Sequence, residues 1–151
     1  MNEREKAHLF DEVLGQARAL LDGCPGLLAG MASLAALLKQ SFPYYFWVGF
    51  YLPREDGALV VGPYQGPLAC IVLPPGKGVC GAAARERKTL VVPDVHAFPG
   101  HIACNAESRS EIVVPVVRGG ELLAILDVDS AEVAAFTDSD RLFLESLLHL
   151  L

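Results

Sequence analysis

Two runs of alternating apolar residues, Ser110–Val117 and Glu121–Ser130, meet at Arg118-Gly119-Gly120. Strands joined by so short a glycine turn pair antiparallel, because a parallel pairing needs a long crossover. The chain must therefore build an antiparallel sheet. In ELLAILDVDS the two-residue period sets Leu122, Ala124, Leu126 and Val128 on one face and Asp127 and Asp129 on the other. Carboxylates at i and i+2 on a strand lie about 7 Å apart. Glu111, on the first strand of the hairpin, is placed to join them. Three converging acids bind an ammonium group, and their crowding keeps one of them protonated as a proton donor. The competing reading is an ordinary solvated strand face.

The rest of the chain supplies cover for that sheet. Ala7, Phe10, Val13, Leu14, Ala17, Leu20 and Leu21 recur at helical spacing over residues 3–22, and Gly23-Cys24-Pro25-Gly26 breaks the helix. A second helix carries Leu27, Leu28, Met31, Leu34, Ala35 and Leu38 and ends before Pro43. YYFWVGFYL then reads as a strand with Trp47, Gly49 and Tyr51 on one face, the two rings about 13 Å apart at strand rise with an open spot between them. Ala58–Gly62 and Leu68–Leu73 read as strands separated by a turn at Pro63–Gly66, Gly78–Arg87 as a short helix and Thr89–Val92 as a strand. Asp94–Ala106 is a polar loop over the sheet, and Thr137 with Asp140 caps a terminal helix. The order ααβββαβ-loop-ββα predicts an α+β fold in one domain, residues 1–151: helices in 1–42, then sheet, active-site loop and C-terminal helix in 43–151.

A net charge of −6 and a pI near 5.1 argue against a nucleic-acid or anionic-membrane surface. The longest apolar tract, Leu27–Leu38, is interrupted by Gly30 and Ser33 and too short to span a bilayer. No signal-like apolar segment opens the chain, and its four cysteines then point to the reducing cytoplasm.

Those cysteines admit several readings. Cys104 with His96 and His101 forms H-x4-H-x2-C, a weak zinc pattern; Cys70 and Cys80 are spaced C-x9-C. A thiol nucleophile or a redox dithiol fits Cys104, in a polar loop, and Cys70, at a strand. Cys80, near the start of the short helix, lies where a helix N-terminus favours a thiolate. Buried, inert thiols are the remaining alternative.

The runs GPYQGPLAC, GKGVCGAAA, VPDVHAFPGHIAC, SEIVVPV and LDVDS resemble the free methionine-(R)-sulfoxide reductases, a GAF-domain enzyme family, from about Phe46 to the terminal helix. The resemblance implies a six-stranded antiparallel sheet flanked by helices, a homodimer, and repair of free methionine sulfoxide without metal or organic cofactor. It matches Cys104 to the nucleophile, Cys70 to its resolving partner and Cys80 to a third cysteine, which either pairs with Cys104 or acts as an auxiliary reductant. Trp47 and Tyr51 match aromatic walls of the substrate pocket, and Glu111, Asp127 and Asp129 match its acidic residues. A thioredoxin-like dithiol is the implied reductant. The sequence departs from the family pattern near Val72, where a basic residue is usual, and at Asn105 beside Cys104. The alternative function is a non-catalytic GAF sensor.

Overall fold

The computed structural model describes residues 1–151. Helices α1 (Glu3–Leu21) and α2 (Leu27–Ser41) precede strands β1 (Trp47–Pro53), β2 (Leu59–Gln65) and β3 (Val72–Leu73). Helix α3 (Gly78–Glu86) and strand β4 (Leu90–Val92) follow, then a 3-10 turn at Val95–Ala97. The hairpin strands β5 (Ser110–Arg118) and β6 (Glu121–Ser130) and helix α4 (Asp138–Leu148) complete the chain. The six strands form one antiparallel sheet in the order β3-β2-β1-β6-β5-β4.

Local chemistry sets the helix ends. Asn2 Oδ1 accepts from the Glu5 amide at 2.9 Å while the Glu5 carboxylate accepts from the Asn2 amide, a reciprocal cap on α1. Asp140 accepts from the Thr137 amide at 2.9 Å, as the Thr137–Asp140 spacing predicts. Asp140 also binds Lys6 Nζ at 2.7 Å and accepts from the Tyr44 hydroxyl at 2.6 Å, tying α4 to α1 through a buried ion pair.

The two faces of the sheet have different fates. Val48, Phe50, Ile112, Val114, Leu126 and Val128 pack under α1, α2 and α4 in the larger core, which includes the stacked pair Phe10–Phe143. Each fully buried Leu, Ile or Phe there contributes about 1.5–3 kcal/mol. The opposite face carries Trp47, Tyr51, Val113 and Ile125 beneath α3 and the 94–109 segment. It is this second, smaller layer that holds the polar residues.

Three sequence expectations change. First, β2 runs through Pro63, Tyr64 and Gln65 instead of turning there. The pairing with β1 shifts between Gly49 and Tyr51, which puts Pro63 at a bulge, where a missing amide costs no ladder bond. Second, only Val72–Leu73 of the expected Leu68–Leu73 strand pairs with β2. Upstream, the Pro67 and Cys70 carbonyls accept instead from Trp47 Nε1 at 3.0 Å and the Tyr51 hydroxyl at 3.3 Å. Third, Leu122 packs with the smaller layer and not beside Ala124. Val116 pairs with Ala124 but Val117 with Leu122, so Leu123 is an extra residue that inverts the parity of the strand end.

Candidate active site

The register of the three central strands assembles the site. Trp47, Asp129 and Glu111 lie in one row across β1, β6 and β5; Gly49, Asp127 and Val113 form the next; Tyr51 and Ile125 begin a third. Facing residues on adjacent strands stand about 4.5–5.5 Å apart, so two rows place three carboxyls in mutual contact range. Above them, α3 lowers Cys80 onto the acids, and the loop after the 3-10 turn brings His101, Ile102 and Cys104 over the opening. The cavity, about 60 Å³, opens to solvent on one side.

Trp47, Tyr51, Cys80, Cys104, Glu111, Asp127 and Asp129 all line this cavity. Cys70 does not, but it is joined to Cys104 by a disulfide across a separation of 34 residues, with Cα atoms 5.5 Å apart. Two sulfurs distant in sequence thus meet beside the acids. The aromatic walls are closer than strand rise suggests: the Trp47 and Tyr51 rings stack with centroids 6.0 Å apart, and Tyr64 stacks on Trp47 at 5.3 Å. The expected open spot at Gly49 is filled by the Trp47 ring itself, which leans over it. A Cβ there would collide with Trp47 and with Tyr64.

Burial dominates the electrostatics. Glu111, Asp127 and Asp129 are each pushed above the usual carboxyl range, first by burial. Negative neighbours then add to the rise at Glu111 and Asp129, while the facing Glu111 carboxyl and Cys80 thiol oppose it at Asp127 and the Ser108 hydroxyl opposes it at Asp129. The cluster consequently retains protons that exposed carboxyls would release. The Cys80 thiol is likewise pushed far up, by burial and then by Asp127, Glu111 and Asp129. The expectation of a thiolate favoured by the α3 N-terminus fails here, because desolvation and three carboxyls outweigh half a unit of dipole charge. His101 is pushed down by burial and then by His96, so it contributes no standing positive charge at neutral pH.

Residues 7–151 match the GAF domain. The chain is 43% identical to GAF domain-containing protein A of Dictyostelium discoideum, over all of this chain and 95% of that one. It is 41% identical to the free methionine-R-sulfoxide reductase of Escherichia coli strain K12, over 95% of this chain and 86% of that one. Free methionine-R-sulfoxide reductase from Neisseria meningitidis, solved in complex with its substrate, superposes with a TM-score of 0.92 at 46% identity, covering 96% of this chain and 87% of that one. The chain belongs to the free methionine-R-sulfoxide reductase family of GAF domains.

Within this reductase fold the zinc reading of His96, His101 and Cys104 loses its sulfur ligand, since Cys104 is in a disulfide, and His96 Nδ1 lies 3.2 Å from Asp94 instead. Among potential metal donors, Cys80, Glu111 and Asp127 do approach one another within 4.8 Å. Sequence reasoning missed Ser108, whose hydroxyl donates to Asp129 Oδ1 at 2.6 Å, and Lys77, which lines the cavity mouth. A polar residue two positions ahead of a strand bearing Glu111 was the available signal for Ser108. Lys77 had none beyond its neighbouring glycines. No helix is long and apolar enough to cross a membrane.

Proposed function

We propose that this protein is an oxidoreductase that reduces free L-methionine-(R)-sulfoxide to methionine through cysteine chemistry. The observation that carries the reading is the shared cavity: the Cys104 sulfur, three proton-retaining carboxyls and two stacked aromatic rings face one small space. A sulfoxide oxygen is displaced only if it is protonated while sulfur is attacked, so nucleophile and acid must be adjacent. In the reduced protein the Cys104 thiolate attacks the substrate sulfur as a carboxyl of the Glu111–Asp127–Asp129 group donates to the oxygen. Methionine leaves and Cys104 carries the hydroxyl as a sulfenic acid. The Cys70 thiol then condenses with it, forming the disulfide and releasing water. An external dithiol returns both sulfurs to thiols.

The remaining carboxylates hold the substrate's ammonium, and Trp47 receives its S-methyl group, since sulfur-linked methyls pack well on aromatic faces. Cys80, a neutral thiol at the cavity floor, is an auxiliary reductant. Leu68 and Ile71, 86% and 70% exposed on either side of Cys70, offer apolar surface to a thioredoxin-like reductant. A disulfide that must be reopened at each turnover needs a dithiol supply, which places the reaction in the cytoplasm. A homodimer is the assembly we propose, with exposed Leu20 and Leu28 on the helical layer as contact surface.

One assay tests the activity: both epimers of methionine sulfoxide, free and within a peptide, with dithiothreitol. Stoichiometric methionine from the free R-epimer alone supports the reading; ligand binding without turnover favours a sensor. Sedimentation of the purified chain tests the dimer.

A further inference from the structure

The Cys80 sulfur, a carboxylate oxygen of Glu111 and one of Asp127 all lie within 4.8 Å of one another. They come from three separate elements, α3, β5 and β6, so no local sequence spacing reveals them. Cys80, Glu111 and Asp127 are only 4%, 5% and 6% exposed, and Asp127 Oδ1 is buried with no hydrogen-bond partner. An acceptor left unsatisfied inside a protein is costly, and this one belongs to a side chain that lines the cavity.

We propose that Cys80, Glu111 and Asp127 form a site for one thiophilic divalent cation, of which Zn²⁺ is the representative. The donor set is one thiolate and two carboxylates. With Zn–S about 2.3 Å and Zn–O about 2.0 Å, tetrahedral coordination separates donors by about 3.5 Å, so each side chain needs a shift of about 1 Å or less. Sulfur selects against Mg²⁺ and Ca²⁺, which require six or more oxygens. The pocket that Cys80, Glu111 and Asp127 line has room for an ion with a water in its fourth position. On binding, the Cys80 thiol proton and any proton held by the Glu111 and Asp127 carboxyls pass to solvent, and the metal takes their place. The ion is an occupant that blocks the pocket and not a cofactor of the reaction. The site itself stands on this geometry whatever the pocket catalyses; its competition with methionine sulfoxide rests on the function proposed above.

The disulfide-bonded protein provides the test, because its free thiols are Cys24 and Cys80 alone. Titration with Co²⁺ should give a thiolate-to-cobalt charge-transfer band that saturates at one equivalent and is erased by Zn²⁺. The band should vanish in Cys80→Ser, persist in Cys24→Ser, and need about tenfold or more Co²⁺ in Asp127→Asn, since even supporting partners of a metal ligand are worth ten- to hundredfold. Absence of the band, or its survival in Cys80→Ser, overturns the site. Should Cys80→Ser not fold, X-ray absorption of the wild-type Zn²⁺ complex decides: one sulfur neighbour supports the proposal and none overturns it. In turnover assays Zn²⁺ should raise the apparent KM, reversibly with chelator; an unchanged KM in the zinc-loaded protein overturns the competition. An inactive protein that still gives the cobalt band separates failure of the reductase reading from failure of this one.

Discussion

Opening the Cys70–Cys104 disulfide should lower the unfolding free energy by about 2–4 kcal/mol. The bond closes a loop across 34 residues. Constraining a loop of that length removes about 13 cal/mol/K from the entropy of the unfolded chain, or about 4 kcal/mol at 25 °C. That figure is a ceiling. Cys70 lies between β2 and β3 and Cys104 in the loop before β5, neither in a helix or strand, so reduction also frees native chain and returns part of the loss. For a chain of this size about 2–4 °C accompanies each kcal/mol, so the melting temperature should drop by about 5–15 °C. Urea melts of oxidised and phosphine-reduced protein measure this, with Cys70→Ser as a control indifferent to reductant. The m-value should fall on oxidation, because the cross-link makes the unfolded chain more compact and less surface is exposed on unfolding. Coincident melts, or greater stability after reduction, would refute the reasoning, because the bond would then not be restraining this loop in solution.

Cys104→Ser should abolish turnover, and Cys70→Ser should release about one methionine per subunit and stall; sustained thioredoxin-linked cycling by either removes its assigned role. Gly49→Ala should destabilise the fold by about 1–3 kcal/mol through overpacking and raise KM, as the Trp47 ring is displaced from the pocket wall; thermal melts and kinetics matching wild type would contradict the contact. Burial and then Asp127 and Asp129 raise the Glu111 carboxyl above its ordinary value of 4.5, so the folded chain keeps a proton that the unfolded chain gives up. Stability from this source is complete below that ordinary value and is lost as pH rises through the raised one. Glu111→Gln should flatten that decline as pH rises above the ordinary carboxyl value of 4.5, and an unchanged slope in denaturant melts would refute the assignment. Ile71→Asp should slow turnover driven by thioredoxin while leaving dithiothreitol-driven turnover intact; equal rates with both reductants would remove the apolar docking surface.

The hairpin, the aromatic strand and the capping pairs were legible because each depends on chemistry within a few residues. The position of Leu122 was not, because one inserted residue, Leu123, changes the parity of everything beyond it and leaves no mark in composition. Leu68–Ile71 has strand propensity, yet the Tyr51 hydroxyl takes up the Cys70 carbonyl and Trp47 Nε1 that of Pro67 just ahead of the segment, a tertiary competition that propensity cannot register. The state of Cys80 was misjudged for the same reason: its helix position was visible, but not the carboxyls that α3 packs against. The gathering of Glu111 with Asp127 and Asp129 was readable, since hairpin register follows from the turn; the near-complete burial of Glu111 and Asp127 was not, because the cover comes from α3 and a loop with no regular period.

That burial accounts for the chemistry the pocket favours. Three carboxyls and a thiol face a space whose only basic lining residues are the exposed Lys77 and a His101 imidazole pushed toward its neutral form. Left ionised they would repel one another in a medium that screens them poorly, so the cluster must take up positive charge. A proton, the ammonium of a free amino acid and a thiophilic metal ion each meet that need, and they compete for it. A methionine sulfoxide inside a peptide brings no ammonium, leaves the cluster's charge unanswered, and carries flanking chain on both sides. Selectivity for the free amino acid is therefore a matter of charge as much as of size. Replacing Asp129 by Asn, which lowers the cluster's demand for a cation, should narrow the preference for free over peptide-bound sulfoxide through a higher KM for the free form. If KM for free sulfoxide stays at the wild-type value, shape alone sets the preference and the carboxyls serve only to deliver protons.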